Sequence, residues 1–496
     1  MGDASTERNS FLRLRYVVVT VVVVFLVWVG VFIYQRATLT PGKSGKFNGE
    51  LTRLVVEAQV ASAGERNAWK DFVDAGELHM GQVRALVNSD KRTDWPQGRW
   101  PPAASDVWDP ETTPEMKATI RTLINSWEAQ GLLTKLDAVA AGKRFVRPVG
   151  EERVMEILLP ELGNTRALAR FCKGRMYFAA ADHDGKEFVR SARHALTLAA
   201  VCKKQFSIID HLVGIAMDSL IADTIGQAVR DGMLDATACR ELLSLLDAVY
   251  TPVDPSAGIK SERIVTRDAV EWTHSDDANG DGRIIPSVVL ELAENRGSAK
   301  SGEVTRLKKL AMILGPSKKQ TLAKFDEYFA LAEAQALMPL RERLGGKTPP
   351  ADEFFKTIDT QYAVVRYYAP SVGQYMMMSD RGDLEIAGAK VMLALEVHRA
   401  AHGNYPATLA ALDPPLTSLK LKSHWREEFR YTRFDAAAVN FPYVLYWIGT
   451  DATDDAGRAP DSGENQPPFT PEAVGYDYVF NLPRAGAKPK EPDGSR

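Results

Sequence analysis

The sequence contains few cysteines, and their spacing indicates no particular chemistry. Cys172, Cys202 and Cys239 are the three cysteines among 496 residues, and no two of them form a C-x-x-C pair. Such a set predicts neither a zinc site nor a disulfide framework. We expect three buried thiols, with an oxidised pair of Cys172 and Cys202 as the alternative if the helices that carry them are neighbours.

Positively charged residues also do not outnumber negatively charged ones. The formal net charge is −3, from 61 lysines and arginines against 64 aspartates and glutamates. Binding to nucleic acid needs a clustered basic surface that neutralises phosphates. We therefore expect no nucleic-acid partner.

The familiar catalytic motifs are also absent from the sequence. No G-x-S-x-G element occurs, and residues 345–348 resemble only the end of a phosphate-binding loop, because Arg341 stands where that loop needs its first glycine. His398 and His402 lie one helical turn apart, but without an H-E-x-x-H motif. We predict no catalytic residue and no organic cofactor. A hydrolase whose site is assembled from distant segments is the alternative.

A long apolar run lies near the N-terminus. Residues 16–34 are nineteen consecutive residues without a charge. As a helix they would reach roughly 28 Å, close to the hydrocarbon thickness of a bilayer. The run predicts a single-pass signal anchor in the lipid bilayer. A cleaved signal peptide has a shorter apolar core of about 7 to 15 residues, so we expect the run to be retained.

The arginines beside this run predict its orientation. Arg13 and Arg15 precede it, so residues 1–15 are expected to be a cytoplasmic leader. The bulk of the chain would then lie on the extracytoplasmic side of the inner membrane. Residues 35–48, which contain glycine and proline among polar residues, are expected to form a tether.

Most of the remaining chain has the apolar spacing of helices. Residues 49–375 are predicted to be one helical domain of stacked hairpins, with a turn at residues 182–185 and a helix cap at Asp235. Its alanine-rich central part loosely resembles tetratricopeptide-like stacks, which implies a solenoid-like body. The predicted fold is therefore mainly α. Residues 485–496 are expected to be a disordered tail.

A possible metal-binding loop occupies residues 277–288. Its first positions match the D-x-[DN]-x-[DN]-G pattern, which places alternate oxygen ligands around one Ca²⁺. The segment resembles EF-hand loops, and the resemblance implies the ligands Asp277, Asn279, Asp281 and the carbonyl of Arg283. Val288 stands where the bidentate glutamate is usual. A polar turn between two helices is the alternative.

The C-terminal part has a second set of motifs. A helix over residues 384–402 is followed by Gly403, Tyr405 and Pro406. Further matching positions are Trp425, Phe429, Tyr431, Gly449 and Asp451. Together they resemble the globular part of the major pseudopilins of type II secretion systems.

This resemblance implies a small α/β domain over residues 376–484. It also implies calcium binding at Asp451, Asp454 or Asp455, with a solvated acidic turn as the alternative.

The function expected from these features is binding. Stacked helical pairs present long surfaces for a protein or peptide partner, and calcium is the cofactor that the two acidic loops indicate. An accessory component of a secretion or pilus-like apparatus is a further alternative. Trp95, Trp100 and Trp108 indicate either a recognition surface or a loop that is pinned to its own domain.

Overall fold

The fold is that of a computed structural model, which describes most of the chain. The described residues are 23–31, 34, 39–42, 45–88, 103–109, 111–157, 159–277, 279–289, 315–345, 350–434, 442–459, 469 and 474–481.

The predicted membrane anchor is wrong for the part of the chain that the structure describes. Of residues 16–34, positions 23–31 and 34 are described, and 23–31 form a helix. Across the described ranges, no helix combines the length and the apolar character needed to cross a membrane. This finding corrects both the single-pass anchor and the inner-membrane location. The leader and the rest of the run lie outside the described residues.

The prediction of a mainly helical fold is confirmed. Helices dominate the described ranges, and their bounds are α1 Asn48–Glu57, α2 Trp69–Val87, α3 Pro114–Ala129, α4 Leu132–Ala141, α5 Pro160–Ala181, α6 Gly185–Lys203, α7 Ile208–Arg230, α8 Ala236–Val249, α9 Pro255–Thr273, α10 Lys318–Ala336, α11 Leu340–Leu344, α12 Phe354–Thr357, α13 Ala363–Tyr368, α14 Val372–His402 and α15 Ser423–Glu428.

Side-chain caps fix where several of these helices begin. Asp184 accepts a hydrogen bond from the Glu187 N–H at the start of α6, and Asp235 accepts one from the Ala238 N–H at the start of α8. Each cap satisfies a backbone donor that the helix itself leaves unpaired. The turn at residues 182–185 and the cap at Asp235 therefore lie where the sequence predicts them.

The helices pack around one long central helix. Helices α5, α6 and α7 pack in sequence, and α14 lies against α7 and α8. Most of α14 is buried, which explains why its sequence lacks a regular polar face. A second apolar cluster joins α9, α10 and α13 to the beginning of α14, and a third, smaller cluster surrounds α1.

A small antiparallel sheet packs against α14. Its strands are β1 Phe429–Arg433, β2 Tyr443–Trp447 and β3 Tyr478–Val479, in the order β1-β2-β3. Phe429 pairs with Trp447, and Trp447 pairs in turn with Tyr478. The side chains of Trp425 and Trp447 are fully buried and meet edge to face, with 5.7 Å between ring centroids. Aromatic packing thus joins the sheet to the segment before it.

The described part of the predicted tether lies on the helical body. The Gly42 N–H donates to the Glu271 carbonyl at 3.0 Å, and the Lys46 ammonium donates to the Glu271 carboxylate at 2.8 Å. Pro41 forms an isolated β-bridge with Ser275. Residues 39–42 and 45–47 therefore hold the N-terminal side of α1 close to the loop after α9.

Candidate functional site

The loop that resembles an EF-hand follows α9 and lies against the start of α10. Asp277 and Asn279 are exposed, and Asp281 is half-buried. Asp277 Oδ1 accepts hydrogen bonds from the N–H groups of Asn279, at 2.9 Å, and Asp281, at 2.7 Å. The loop is therefore closed by its own first aspartate.

Two further oxygens of this loop have structural partners. Asp281 Oδ1 accepts a hydrogen bond from the Lys319 N–H at 3.0 Å, which makes it a cap for α10. The Arg283 carbonyl accepts one from the Ser275 N–H at 2.9 Å, inside a short antiparallel bridge. These contacts are those of a turn that links two helices, which is the alternative that the sequence leaves open.

The surroundings of Gly282 show why the last position of the D-x-[DN]-x-[DN]-G pattern is a glycine. A Cβ atom there would lie 1.4 Å from the Ser275 carbonyl oxygen, so no larger residue fits without moving the backbone. Beside the loop, Lys318 is 3% exposed and lies between the carboxylates of Glu271 and Asp276. The loop, α10 and the described part of the N-terminal segment are thus held together by one group of charges.

The C-terminal acidic loop spans residues 449–458, directly after β2. Asp451 accepts hydrogen bonds from the N–H groups of Thr453, at 3.0 Å, and Gly475, at 3.1 Å. Asp454 accepts one from the Ala456 N–H at 3.0 Å and one from the Tyr446 hydroxyl at 2.9 Å. These two aspartates shape the loop.

The carboxylates of Asp455 and Asp477 are less completely hydrogen-bonded than those of Asp451 and Asp454. Asp477 is fully buried, and its Oδ2 accepts a hydrogen bond from the Gly457 N–H at 2.7 Å. Within the part of the chain that the structure describes, Asp477 Oδ1 and Asp455 Oδ2 are buried and have no hydrogen-bond partner. Burying a carboxylate oxygen that accepts no hydrogen bond costs free energy. A cation bound beside these two oxygens would reduce that cost.

The pKa of Asp477 reflects its burial and the carboxylates beside it. Burial raises the pKa of Asp477 above its usual value, and the negative charges of Asp454 and Asp455 raise it further. The backbone N–H groups of Gly457 and Asp455 partly offset this rise in pKa. A cation among these carboxylates would remove the repulsion that raises the pKa.

The described residues contain no ready-made metal site of three side chains. No group of three histidines, cysteines, aspartates or glutamates within the described ranges is arranged to hold a metal ion. A Ca²⁺ ion in the acidic loop would therefore need backbone carbonyls and water in addition to Asp455 and Asp477. Calcium accepts such mixed oxygen ligands.

Sequence reasoning missed Asp477. It follows Asp455 by more than twenty positions and belongs to no motif. No local signal marks it, because a single acidic residue between Tyr476 and Tyr478 does not indicate which distant segment it contacts.

The other polar residues singled out from the sequence have ordinary structural roles. His398 Nδ1 accepts a hydrogen bond from the Asp413 N–H, and His402 Nδ1 donates to the His398 carbonyl, each at 3.0 Å. Trp108 is buried and donates to the Lys173 carbonyl at 2.9 Å, so it pins its loop to α5. Trp95 and Trp100 lie outside the described residues.

The cysteines are free and buried. None of the three forms a disulfide. Burial raises the pKa of the Cys172 thiol to about 12 and raises the pKa of Cys202 as well. The oxidised pair that the sequence left open is thus not formed, although α5 and α6 are neighbours.

Two adjacent clefts lie at the end of the helical hairpins where α5 turns into α6. One has a volume of about 320 Å³ and is lined by residues of α3, α5 and α6, including Arg121, Phe178 and Glu187. The other has a volume of about 400 Å³ and is lined by the 182–186 turn and the beginning of α8. Asp182 and Asp184 line both clefts. They form a continuous polar surface on the body.

Comparisons with known proteins identify no family for this chain. No family model matches it, and neither the curated proteins nor the solved structures include a match. The resemblances to pseudopilins, to tetratricopeptide-like stacks and to EF-hand loops therefore stay predictions.

Proposed function

We propose that this protein is a binding scaffold whose C-terminal acidic loop takes up Ca²⁺. The observation that supports the ion is the pair of buried carboxylate oxygens without a donor, Asp455 Oδ2 and Asp477 Oδ1. Calcium is the cation best suited to this pair, because it takes six to eight oxygen ligands in flexible geometry and includes carbonyls and water among them.

The small number of carboxylates sets the expected affinity. Ligand charge and loop rigidity tune calcium sites over several orders of magnitude, and weakly charged sites lie at about 10⁻⁴ to 10⁻³ M. We expect the acidic loop to bind in that range. The raised pKa of Asp477 implies that protons compete with calcium, so binding weakens as the pH falls.

The EF-hand-like loop after α9 is less well suited to calcium than the acidic loop, because its oxygens already have hydrogen-bond partners. We propose Asp277, Asn279, Asp281 and the Arg283 carbonyl as the ligands of a second, weaker calcium site. Two of the required oxygens, Asp281 Oδ1 and the Arg283 carbonyl, already accept backbone hydrogen bonds. Calcium binding there would have to displace or share these contacts.

The scaffold role is supported by the helical body. The two clefts at the α5–α6 turn offer mixed charge beside the Phe178 ring, over which Arg121 lies at 4.5 Å. Such a surface suits a polar protein or peptide segment better than an apolar small molecule. We therefore propose that a protein or peptide partner binds this surface.

Isothermal titration of calcium into the full chain tests the ion site. We expect one weak binding event in the wild type and its loss in Asp455→Asn and Asp477→Asn. Asp231→Asn is the matched control, since Asp231 is an exposed aspartate at the end of α7. Equal heats for the wild type and Asp477→Asn would reject the acidic loop as the site.

A further inference from the structure

The segment of residues 477–481, here called the docking segment, begins with a residue that is hydrogen-bonded to the acidic loop. The Asp477 carboxylate accepts a hydrogen bond from the Gly457 N–H, and the Asp477 N–H donates to the Arg458 carbonyl at 2.8 Å. The first residue of the docking segment is therefore fixed at both backbone and side chain by the loop.

The next residues of the docking segment lie on the helical body. The Tyr478 hydroxyl donates to the Glu385 carboxylate on α14. The Phe480 ring covers Gly388, where a Cβ atom would lie 2.2 Å from the ring. Arg230, at the end of α7, donates to the Phe480 carbonyl at 3.4 Å. Two helices of the body thus contact the docking segment within four residues of Asp477.

The same segment also completes the small sheet. Val479 pairs with Tyr446 of β2, the Phe480 N–H donates to the Leu445 carbonyl at 3.0 Å, and Asn481 Oδ1 accepts a hydrogen bond from the Leu445 N–H at 3.0 Å. A strand rises about 3.3 Å per residue, so the chain between Asp477 and Phe480 has little slack. A displacement of Asp477 must move the side chains that dock on α14.

We infer that calcium binding in the acidic loop and docking of residues 477–481 on α7 and α14 are coupled. This inference rests on the proposed calcium site. Without a cation, the buried Asp477 carboxylate faces the negative charges of Asp454 and Asp455. A bound cation removes this repulsion in the docked arrangement, so calcium binds the docked state more tightly than the undocked one.

Thermodynamic reciprocity supplies the test. If calcium favours docking by some factor, docking favours calcium binding by the same factor, so a variant that populates the undocked state binds calcium more weakly. Tyr478→Phe removes the hydroxyl that binds Glu385 and leaves every loop carboxylate in place. Tyr431→Phe is the control, because its hydroxyl donates to the Pro406 carbonyl, at 2.9 Å, away from the docking segment.

The experiment measures calcium affinity and amide hydrogen exchange on the full chain. We expect Tyr478→Phe to bind calcium at least about fivefold more weakly than the wild type, with Tyr431→Phe unchanged. We also expect calcium to slow exchange at residues 478–481 of the wild type, a readout that does not depend on any variant being stable.

The outcomes separate the two proposals. Calcium binding by the wild type with exchange at 478–481 unaffected by calcium overturns the coupling and leaves the site itself standing. Equal calcium affinity in Tyr478→Phe does the same if residues 478–481 of that variant exchange faster than those of the wild type. No calcium binding by the wild type overturns the site and the coupling together.

Discussion

Asp218 of α7 lies in a buried cluster of charges that predicts an unusual dependence of stability on pH. It is 2% exposed, and its Oδ2 accepts a hydrogen bond from the Lys203 ammonium at 2.5 Å. Burial raises the pKa of Asp218 to about 6, against the attraction of Lys203, and the charges of Asp383 and Glu385 on α14 raise it further. The neighbouring Tyr250 hydroxyl donates to Asp383 at 3.0 Å.

The sign of the effect follows from this raised pKa. Below about pH 4, the carboxyl is protonated in both the folded and the unfolded chain. Between about pH 4 and 6, the unfolded chain releases the proton while the folded chain retains it, so stability falls as the pH rises. A shift from 3.8 to about 6 corresponds to about 3 kcal/mol in the free energy of unfolding.

Urea unfolding of the wild type and of Asp218→Asn, at several values between pH 4 and 7, measures this contribution. We expect the difference in unfolding free energy, wild type minus variant, to fall by up to about 3 kcal/mol over that range and to level off near pH 7. A difference that rises with pH would show that the Lys203 ion pair outweighs burial. Parallel curves would show that Asp218 does not titrate in this range, and either result refutes the reasoning.

Three further experiments test other parts of the fold. Arg147→Met leaves the buried Asp210 and the half-buried Glu161 without their cation, and we expect a loss of about 3 to 5 kcal/mol in urea unfolding; a loss below about 1 kcal/mol would contradict this role. Gly282→Ala should destabilise the loop after α9 by about 1 to 3 kcal/mol, whereas Gly49→Ala, with open space around it, should not lower the melting temperature. The Cys172 thiol should react with a thiol reagent at pH 8 only after unfolding, and rapid reaction of the native chain would disprove its burial.

Local signals in the sequence predict much of the helical body. Asp184 and Asp235 cap helices where the sequence places them, and Gly403 ends α14 in the left-handed conformation with a φ of 81°. Caps and glycine stops act over three or four residues, so a single sequence contains the information for them.

The candidate site depends on contacts that are distant in sequence. Asp477 reaches the acidic loop because β3 pairs with β2, and nothing near Asp477 in the sequence encodes that pairing. The burial of α14 likewise follows from its position between other elements. Hydropathy alone predicted an anchor at residues 16–34, and among the described residues no helix meets the requirements for crossing a membrane.

Thermal melting of the full chain, with calcium and with chelator, examines the proposed calcium site in a single comparison. An ion that binds the folded form alone stabilises it by RT ln(1 + [L]/Kd), which is about 1.4 kcal/mol at ten times the dissociation constant. We predict that about 10 mM calcium raises the melting temperature of the wild type by about 1 to 3 degrees and leaves that of Asp477→Asn unchanged. Identical melting temperatures of the wild type in calcium and in chelator would contradict calcium binding by the folded protein.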